Sequence, residues 1–391
     1  MAGKKVMHFQ ECESVDLLVI AGEASGDEHA AKLIKDLRQT KPNLVIRALG
    51  GSELEKQQVD LLFNLVDHAV VGIFEVLKNY AFFRKIFNET LRWISENRPK
   101  TILLVDYPGF NLRVAEALRE KNLSKKGGGE IVVLQYVSPQ LWAWKAKRRF
   151  KMEKILDSLG VIFPFELDCY KDVELPVSFV GHPMVEMRKQ ELVKYDSNGP
   201  VLLLPGSREQ AIERIFPILL DAFEKLVEEF PKFTALVPAS NMKTKNIIQK
   251  ILASRKDLLE RVEVRDSADQ LSARLVWTSS GTMSLRCAIS GIPGLIVYKA
   301  HPLTYLIGRA LVKVKYLGMA NLLLPEDPPY PEYIQDRAMP NLILGESRKI
   351  LSDEKASSRR SNEIAQKLTK LLKGSQERGA VEWLLDEGSL G

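Results

Sequence analysis

The hydrophobic pattern falls into short apolar runs that alternate with helical stretches. Leu17-Leu18-Val19-Ile20 predicts a buried strand, followed by a small-residue turn and a helix over residues 28–39. Residues 101–105 predict a second strand with a helix over 112–121, and residues 131–136 a third strand. The pattern then restarts: a strand over 201–204, a helix over 211–230, and strands at 233–237, 262–264, 275–277 and 295–298. Strands of this kind, apolar on both faces and separated by helices, belong to parallel sheets covered on both sides. Residues 352–373 read as a charged amphipathic helix, and 380–385 as a last short one.

Between the halves lie Val180-Gly181-His182-Pro183-Met184 and the polar stretch Tyr195-Asp196-Ser197-Asn198-Gly199-Pro200, whose Gly and Pro suit a hinge. The expected fold class is therefore α/β: two Rossmann-like doubly wound domains facing across a cleft, residues 1–183 and 184–364, with the helix from about 365 to 391 packing back on the first. The 391 residues, 45% hydrophobic and 27% charged, supply apolar mass for two cores. Neither fixed-period repeats nor low-complexity tracts occur, so solenoids and propellers drop out. Cys12, Cys169 and Cys287 lie too far apart for a disulfide framework or a metal site. No run of about 18 apolar residues occurs, so no spanning helix is predicted. The net charge of +6 fits phosphorylated substrates, anionic lipid or nucleic acid.

Ligands of open α/β sheets bind beyond the carboxyl ends of the strands, so four strand ends matter most. Ala21-Gly22-Glu23-Ala24-Ser25-Gly26-Asp27 is a small-residue loop opening a helix, suited to an anion or hydroxyl, or else a tight turn capped by Asp27. Asp106 closes an apolar strand and heads Asp106-Tyr107-Pro108-Gly109-Phe110-Asn111. A carboxylate desolvated there can act as a general base, whereas the bland reading is a capping Asp. Leu204-Pro205-Gly206-Ser207-Arg208 combines a Gly turn, a helix start and a guanidinium fork, which is a phosphate site with a mechanism. Ser279-Ser280-Gly281-Thr282-Met283-Ser284 repeats that logic, and two such loops in one domain point to a nucleotide diphosphate.

Two aromatic stretches add a surface. Over residues 70–87, Ile73, Leu77, Tyr80, Phe83 and Phe87 share one helical face, and Phe74, Phe82 and Ile86 widen it. Lys78, Arg84 and Lys85 make the remainder cationic, as in an interfacial helix beside anionic lipid; a core helix is the alternative. Trp142-Ala143-Trp144 precedes the basic run Lys147-Arg148-Arg149-Phe150-Lys151, which suits bases, headgroups or a core. His182 beside Pro183 reads as structural, and none of the five His makes a metal site.

Taken together, these stretches resemble the lipid-A-disaccharide synthases. Residues 20–27, Val71-Gly72-Ile73-Phe74-Glu75-Val76-Leu77, residues 106–111, Tyr136-Val137-Ser138-Pro139 with the Trp142 and Trp144 pair, residues 204–208, Ser280-Gly281-Thr282, Asn321-Leu322 and Pro331-Glu332-Tyr333-Ile334-Gln335 match in order. The resemblance implies a GT-B fold and transfer of 2,3-diacylglucosamine from its UDP conjugate to 2,3-diacylglucosamine 1-phosphate (lipid X), with inversion and release of UDP. It implies Asp106 as general base. Gly206, Ser207, Arg208, Ser280, Gly281, Thr282, Asn321, Glu332 and Gln335 would bind the donor, and Glu23, Ser25, Gly26 and Asp27 the acceptor side. Ile73, Phe74, Leu77, Phe82 and Phe83 would contact an anionic membrane. It further implies no metal, no cofactor and no nucleic acid, and a place at the cytoplasmic face of the bacterial inner membrane; a homodimer is left open.

Two stretches depart from the family pattern. Arg286 stands where a Glu is usual, and residues 324–330 form an unusual loop. The competing readings are a GT-B transferase or epimerase with a soluble substrate, and a basic RNA- or membrane-binding protein without catalysis.

Overall fold

The computed structural model describes residues 14–68, 80–187, 193–266, 270–311, 314–373 and 379–391. The chain divides into two compact units, Met1–Pro183 with Lys373–Gly391, and Met184–Leu372.

The first unit is built on seven parallel strands: β1 (Leu17–Ala21), β2 (Ile46–Gly50), β3 (Asp60–Asn64), β4 (Thr101–Val105), β5 (Val132–Tyr136), β6 (Ser158–Val161) and β7 (Val177–Phe179). Their spatial order is β3-β2-β1-β4-β5-β6-β7. Crossovers include α1 (Ala24–Thr40), α2 (Ser52–Glu55), α3 (Tyr80–Asn97), α4 (Pro108–Glu120) and α5 (Arg148–Ile155). β1 and β4 are buried at all five positions because helices cover both faces. Ala21 pairs with Val105 and Val105 with Tyr136, so the carboxyl ends of β1, β4 and β5 are level. The strand order reverses between β1 and β4, and a ligand crevice forms at such a reversal.

The second unit repeats the plan. β9 (Val201–Leu204), β10 (Ala235–Ala239), β11 (Val262–Asp266), β13 (Leu275–Thr278), β14 (Gly294–Tyr298) and β15 (Glu332–Ile334) run parallel in the order β11-β10-β9-β13-β14-β15. A separate parallel pair joins β8 (Val193–Tyr195) to β12 (Leu271–Ala273). The helices are α6 (Glu209–Glu229), α7 (Met242–Ala253), α8 (Thr282–Ile289), α9 (Pro302–Leu311), α10 (Met319–Leu323), α11 (Pro340–Ser352) and α12 (Glu354–Lys373). Here the order reverses between β9 and β13. Phe216, Phe223 and Trp277 fill the core, and Trp277 Nε1 donates to Ser347 Oγ at 3.0 Å.

The last helix, α13 (Ala380–Glu387), belongs to the first unit. Trp383 is fully buried there, its Nε1 donating to Ser158 Oγ at 3.0 Å and its ring tilted against Tyr136. A Cβ on Gly160 would approach that ring to 3.1 Å, so the glycine in β6 makes room for the indole. Removing so large a buried ring costs about 3–5 kcal/mol.

Several element starts differ from the hydrophobic pattern, for local reasons. α1 begins at Ala24, not residue 28, because Gly26 packs its backbone onto β4, where an added Cβ would lie 3.3 Å from Val105 O. α4 begins at Pro108, whose fixed φ suits the first helical position. Strands β2, β3, β6, β7 and β15 have no long apolar run, and their sheet neighbours define them.

Candidate active site

The reversal in the first sheet is occupied by a strained turn. Asp106 and Tyr107, just beyond β4, both have left-handed backbone, with φ 48° and 45°, and Val137 beyond β5 has φ 69°. Such conformations cost about 1–3 kcal/mol each for residues other than glycine, and persist only where surroundings enforce them. Here the enforcement is visible. Asp106 N donates to Tyr136 O at 3.1 Å. The buried Asn111 amide donates to Asp106 O, Val105 O and Ile20 O at 2.8, 3.2 and 3.3 Å. Gln135, fully buried in β5, donates to Asp106 O and Val137 O, each at 3.2 Å.

Gly22 serves this turn. A Cβ at Gly22 would fall 2.1 Å from the Tyr107 ring, so the ring lies against bare backbone. Tyr107 stacks on Phe110, which meets Phe87 of α3 edge-on. Of the predicted acceptor-side residues, Glu23 is exposed at the N-cap of α1, and Gly26 comes within 3.4 Å of Asp106 Cβ when given a Cβ. Ser25 is half-buried in the first turn of α1. Asp27 points elsewhere: it is buried, and its two oxygens accept from Gly51 N and Glu53 N at 2.8 and 2.9 Å, capping α2. It therefore caps a helix, though a different one from the helix it lies in.

Three carboxyl groups give this edge its electrostatics. Burial pushes Asp106 up to about 6, with the Glu23 charge adding to the shift and a Tyr107 backbone hydrogen bond opposing it. Glu166, in the 3-10 segment Pro164–Tyr170 beyond β6, is buried and pushed up to about 8 by desolvation, against hydrogen bonds from Phe163 N and Ile162 N. The Asp106 charge adds to that rise. Glu166 was missed in the sequence because it follows Pro164-Phe165 in a short apolar stretch with no motif of its own. His182 is buried, with its ring 5.0 Å from Phe163 and 6.1 Å from His29, in keeping with a structural role.

The reversal in the second sheet has the opposite character. Leu204 pairs with Thr278, and Ser279 N donates to Leu204 O at 2.7 Å, so the loops after β9 and β13 lie side by side. Gly206 has φ 119°, and a Cβ there would meet Ser279 Oγ at 3.3 Å and Ala211 Cβ at 3.2 Å. Arg208 is exposed at the N-cap of α6, and Gly281 is the extended N-cap of α8. Neither helix has a side-chain cap, so the first N–H groups of both remain available. Ser207, Ser280 and Thr282 line the same two loops. Two helix starts, a glycine turn and a guanidinium are the groups from which an anion site can be built.

Asn321, Glu332 and Gln335 lie at the β14–β15 end of this edge, and their polar atoms serve the protein itself. Asn321 is fully buried, donating to Tyr330 O and Glu332 Oε1 and accepting from Tyr330 N. Glu332 accepts from Leu317 N and Gly318 N at the start of α10. Gln335, with φ 54°, exchanges two hydrogen bonds with the Ala300 backbone. These three hold the loops around the edge. The unusual loop at 324–330 is tied to α12 by Asp327, which pairs with Arg360 at 3.0 Å and Lys367 at 2.8 Å. Arg286 sits half-buried in α8.

On the expected interfacial surface, Ile73, Phe74 and Leu77 lie outside the described residues. Phe82 is half-buried against the first core, with its ring near Phe63 and His68, so the core reading holds for it in part. Phe83 is half-buried at the edge of Phe82. Beside them a shallow groove is lined by Ala81, Arg84, Lys85, Asn88, Glu89 and Arg92. Trp142 packs edge-on to Phe165, whereas Trp144 is 44% exposed under Lys145. Among the described residues no three His, Cys, Asp or Glu side chains converge as a metal would need, and no helix is long and apolar enough to cross a membrane.

Two Rossmann-like units, each with a parallel sheet whose strand order reverses, define the GT-B class. Solved structures of that build cover nearly the whole chain. A UDP-N-acetylglucosamine 2-epimerase structure from Listeria monocytogenes, itself described as putative, covers 94% of this chain and 99% of its own at a TM-score of 0.59 and 10% identity. The glycotransferase of kitacinnamycin covers 96% and 100% at a TM-score of 0.59 and 13% identity. At these identities the likeness concerns the fold. The sequence comparisons go further. The family model for lipid-A-disaccharide synthetase matches residues 17–383. Lipid-A-disaccharide synthase 1 of Legionella pneumophila is 37% identical over 82% of this chain and 83% of its own length, and the Geobacter metallireducens synthase 34% identical over 86% and 88%. The chain belongs to the lipid-A-disaccharide synthase family, the glycosyltransferases of lipid A biosynthesis.

Proposed function

We propose that the protein transfers 2,3-diacylglucosamine from UDP-2,3-diacylglucosamine to the 6-hydroxyl of 2,3-diacylglucosamine 1-phosphate, with inversion and release of UDP. The observation that carries the reading is the half-buried, strained Asp106 at the reversal of the first sheet. With its carboxyl at about 6 it is mostly ionised at neutral pH and still basic enough to accept a proton as the hydroxyl attacks. The hydroxyl oxygen bonds to the anomeric carbon, its proton passes to Asp106, and the bond to the UDP oxygen breaks with its electron pair leaving on the diphosphate. One displacement suffices, and no covalent enzyme intermediate forms.

Charge gathers on the departing diphosphate, where the helix starts at Gly206–Arg208 and Gly281–Thr282 supply N–H donors and Arg208 a fixed cation. That set would perform the neutralisation without a metal. Asn321, Glu332 and Gln335 support the donor loops through the backbone rather than by touching the nucleotide. Both substrates carry acyl chains, so the enzyme would work at the inner face of the bacterial inner membrane. Phe83 and the Arg84, Lys85 and Arg92 cations of α3 suit an anionic surface.

The test is incubation with the UDP-sugar lipid and the sugar 1-phosphate lipid, with mass spectrometry and anomeric assignment of the product. A β-1,6-linked disaccharide 1-phosphate supports the reading. Release of UDP only with a water-soluble acceptor would overturn it.

A further inference from the structure

A fully buried glutamine stands in the middle of the otherwise apolar strand β5, Val132-Val133-Leu134-Gln135-Tyr136. A polar side chain buried on a parallel strand is unfavourable unless its hydrogen bonds are made. Its Nε2 makes them, donating to Asp106 O and Val137 O at 3.2 Å each, while Oε1 is buried without a hydrogen-bond partner among the described residues. These are the carbonyls of two residues with left-handed backbone, at the ends of adjacent strands. Both residues lie beyond the β4–β5 ladder, whose register ends at Val105 and Tyr136, so their carbonyls are held by a side chain and not by that ladder. Asn111 holds Asp106 O from the helix side at 2.8 Å, so the Asp106 carbonyl is gripped from α4 and from β5 together.

From this geometry we infer that Gln135 is a positioning residue, whose amide locks the Asp106 and Val137 carbonyls and thereby sets the direction of the Asp106 carboxyl group. The inference rests on the proposed role of Asp106 as base. Gln135 itself touches no reacting atom. Its effect passes through one rigid peptide: releasing Asp106 O from β5 lets the φ 48° turn relax toward ordinary backbone, and the carboxyl group swings with it. Misplacement of a reacting group by about 1 Å lowers rate by as much as a hundredfold. The groups facing Asp106 that bear on its titration are Glu23 from the β1–α1 loop, Glu166 from the segment beyond β6, and the neighbouring Tyr107.

The experiment compares wild type, Gln135→Leu, Asp106→Asn and the double variant in turnover, donor KM, UDP affinity, melting temperature and the pH dependence of kcat/KM. For Gln135→Leu the expected result is a roughly ten- to hundredfold loss in kcat, with UDP affinity and donor KM unchanged. The acidic limb of its kcat/KM profile, which a free-enzyme carboxyl at about 6 places near that pH, should move to lower pH as the carboxyl becomes better solvated. In the Asp106→Asn background the same change should have little further effect, because the group it positions is gone. Wild-type kcat in a folded Gln135→Leu protein overturns the inference. So does a loss shared equally by kcat and the folded fraction, with the limb unmoved. An active Asp106→Asn enzyme overturns the base reading and the inference with it, whereas an inactive one beside a normal Gln135→Leu overturns the inference alone. If the Leu variant does not fold, Gln135→Asn, which keeps an amide but withdraws it by one methylene, is held to the same outcomes.

Discussion

The two sheets share one strand order through their first six strands, and their edges at the reversal do opposite electrostatic work. The first edge is closed and acidic: a strained turn, a ring lying on Gly22, and three carboxyl groups of which two are pushed well up by burial. The second is open and basic: glycine and serine loops, two uncapped helix starts and an exposed guanidinium. Fold alone does not decide the chemistry of such an edge. What decides it is whether the loop after each strand spends its polar groups on its own backbone or leaves them unspent. Around Asp106 the amide N–H groups of Asn111 and Gln135 are consumed in bracing the turn, while their amide oxygens stay buried without a hydrogen-bond partner among the described residues. Around Gly206 no side chain among the described residues caps either helix, which is the arrangement the proposed diphosphate site requires.

The sharpest way to break this contrast is Asp106→Asn, which keeps the shape and removes the proton acceptor. Turnover should fall by roughly a hundred- to ten-thousandfold with UDP affinity retained. Turnover, UDP binding and melting temperature measured on one preparation decide it, since a merely structural Asp would lose activity only in proportion to folding. At the other edge Arg208→Ala should lower turnover by on the order of a hundredfold, and it should weaken inhibition by UDP, which the Asp106 variant does not. Normal UDP inhibition would remove Arg208 from the diphosphate site.

A smaller effect separates the edges by backbone. Gly206→Ala places a side chain at φ 119° against Ala211 and Ser279, and should cost about 1–3 kcal/mol in denaturant unfolding while weakening UDP.

The acidic edge also predicts a pH signature. Asp106 and Glu166 hold their protons more tightly folded than unfolded, so the native state binds more protons between the ordinary carboxylate range and about 6 and 8 respectively. Their contribution is complete below the unfolded values and is lost as pH rises through the folded ones. Glu166→Gln should flatten the decline of stability between about pH 4.5 and 8, read from urea midpoints across that range. The mildest test concerns α3, beside the acidic edge alone. Phe83→Ser should reduce binding to anionic vesicles with little change in melting temperature, whereas Phe82→Ser should destabilise, because Phe82 packs against the core.

Much of this was legible in the residues themselves. An apolar run of four or five that stops at Gly, Ser or Asp marks a strand end, and strand ends are where parallel sheets bind ligands. That logic found residues 22–27, 106–111, 204–208 and 279–284 without a partner in view. It did not separate residues that face a ligand from residues that brace the loop. The family resemblance implies Asn321, Glu332 and Gln335 as donor contacts, and in the structure their side chains bond to Tyr330, to Leu317 and Gly318, and to Ala300. Asp27 was placed on the acceptor side, and its oxygens serve the start of α2. Gln135 carried a signal that went unused: one amide in an all-apolar strand buried on both faces must find partners.

The sequence by itself determined the class of fold, the positions of the loops and the family, because these depend on local periodicity and on motifs contiguous in the chain. Only the tertiary structure decided which polar groups remain free, since that depends on backbone atoms brought together from distant segments. It decided too that Asp106 sits in a left-handed turn among other carboxyl groups. The burial and the Glu23 charge that raise its proton affinity involve segments outside residues 101–111, so that stretch does not encode them alone.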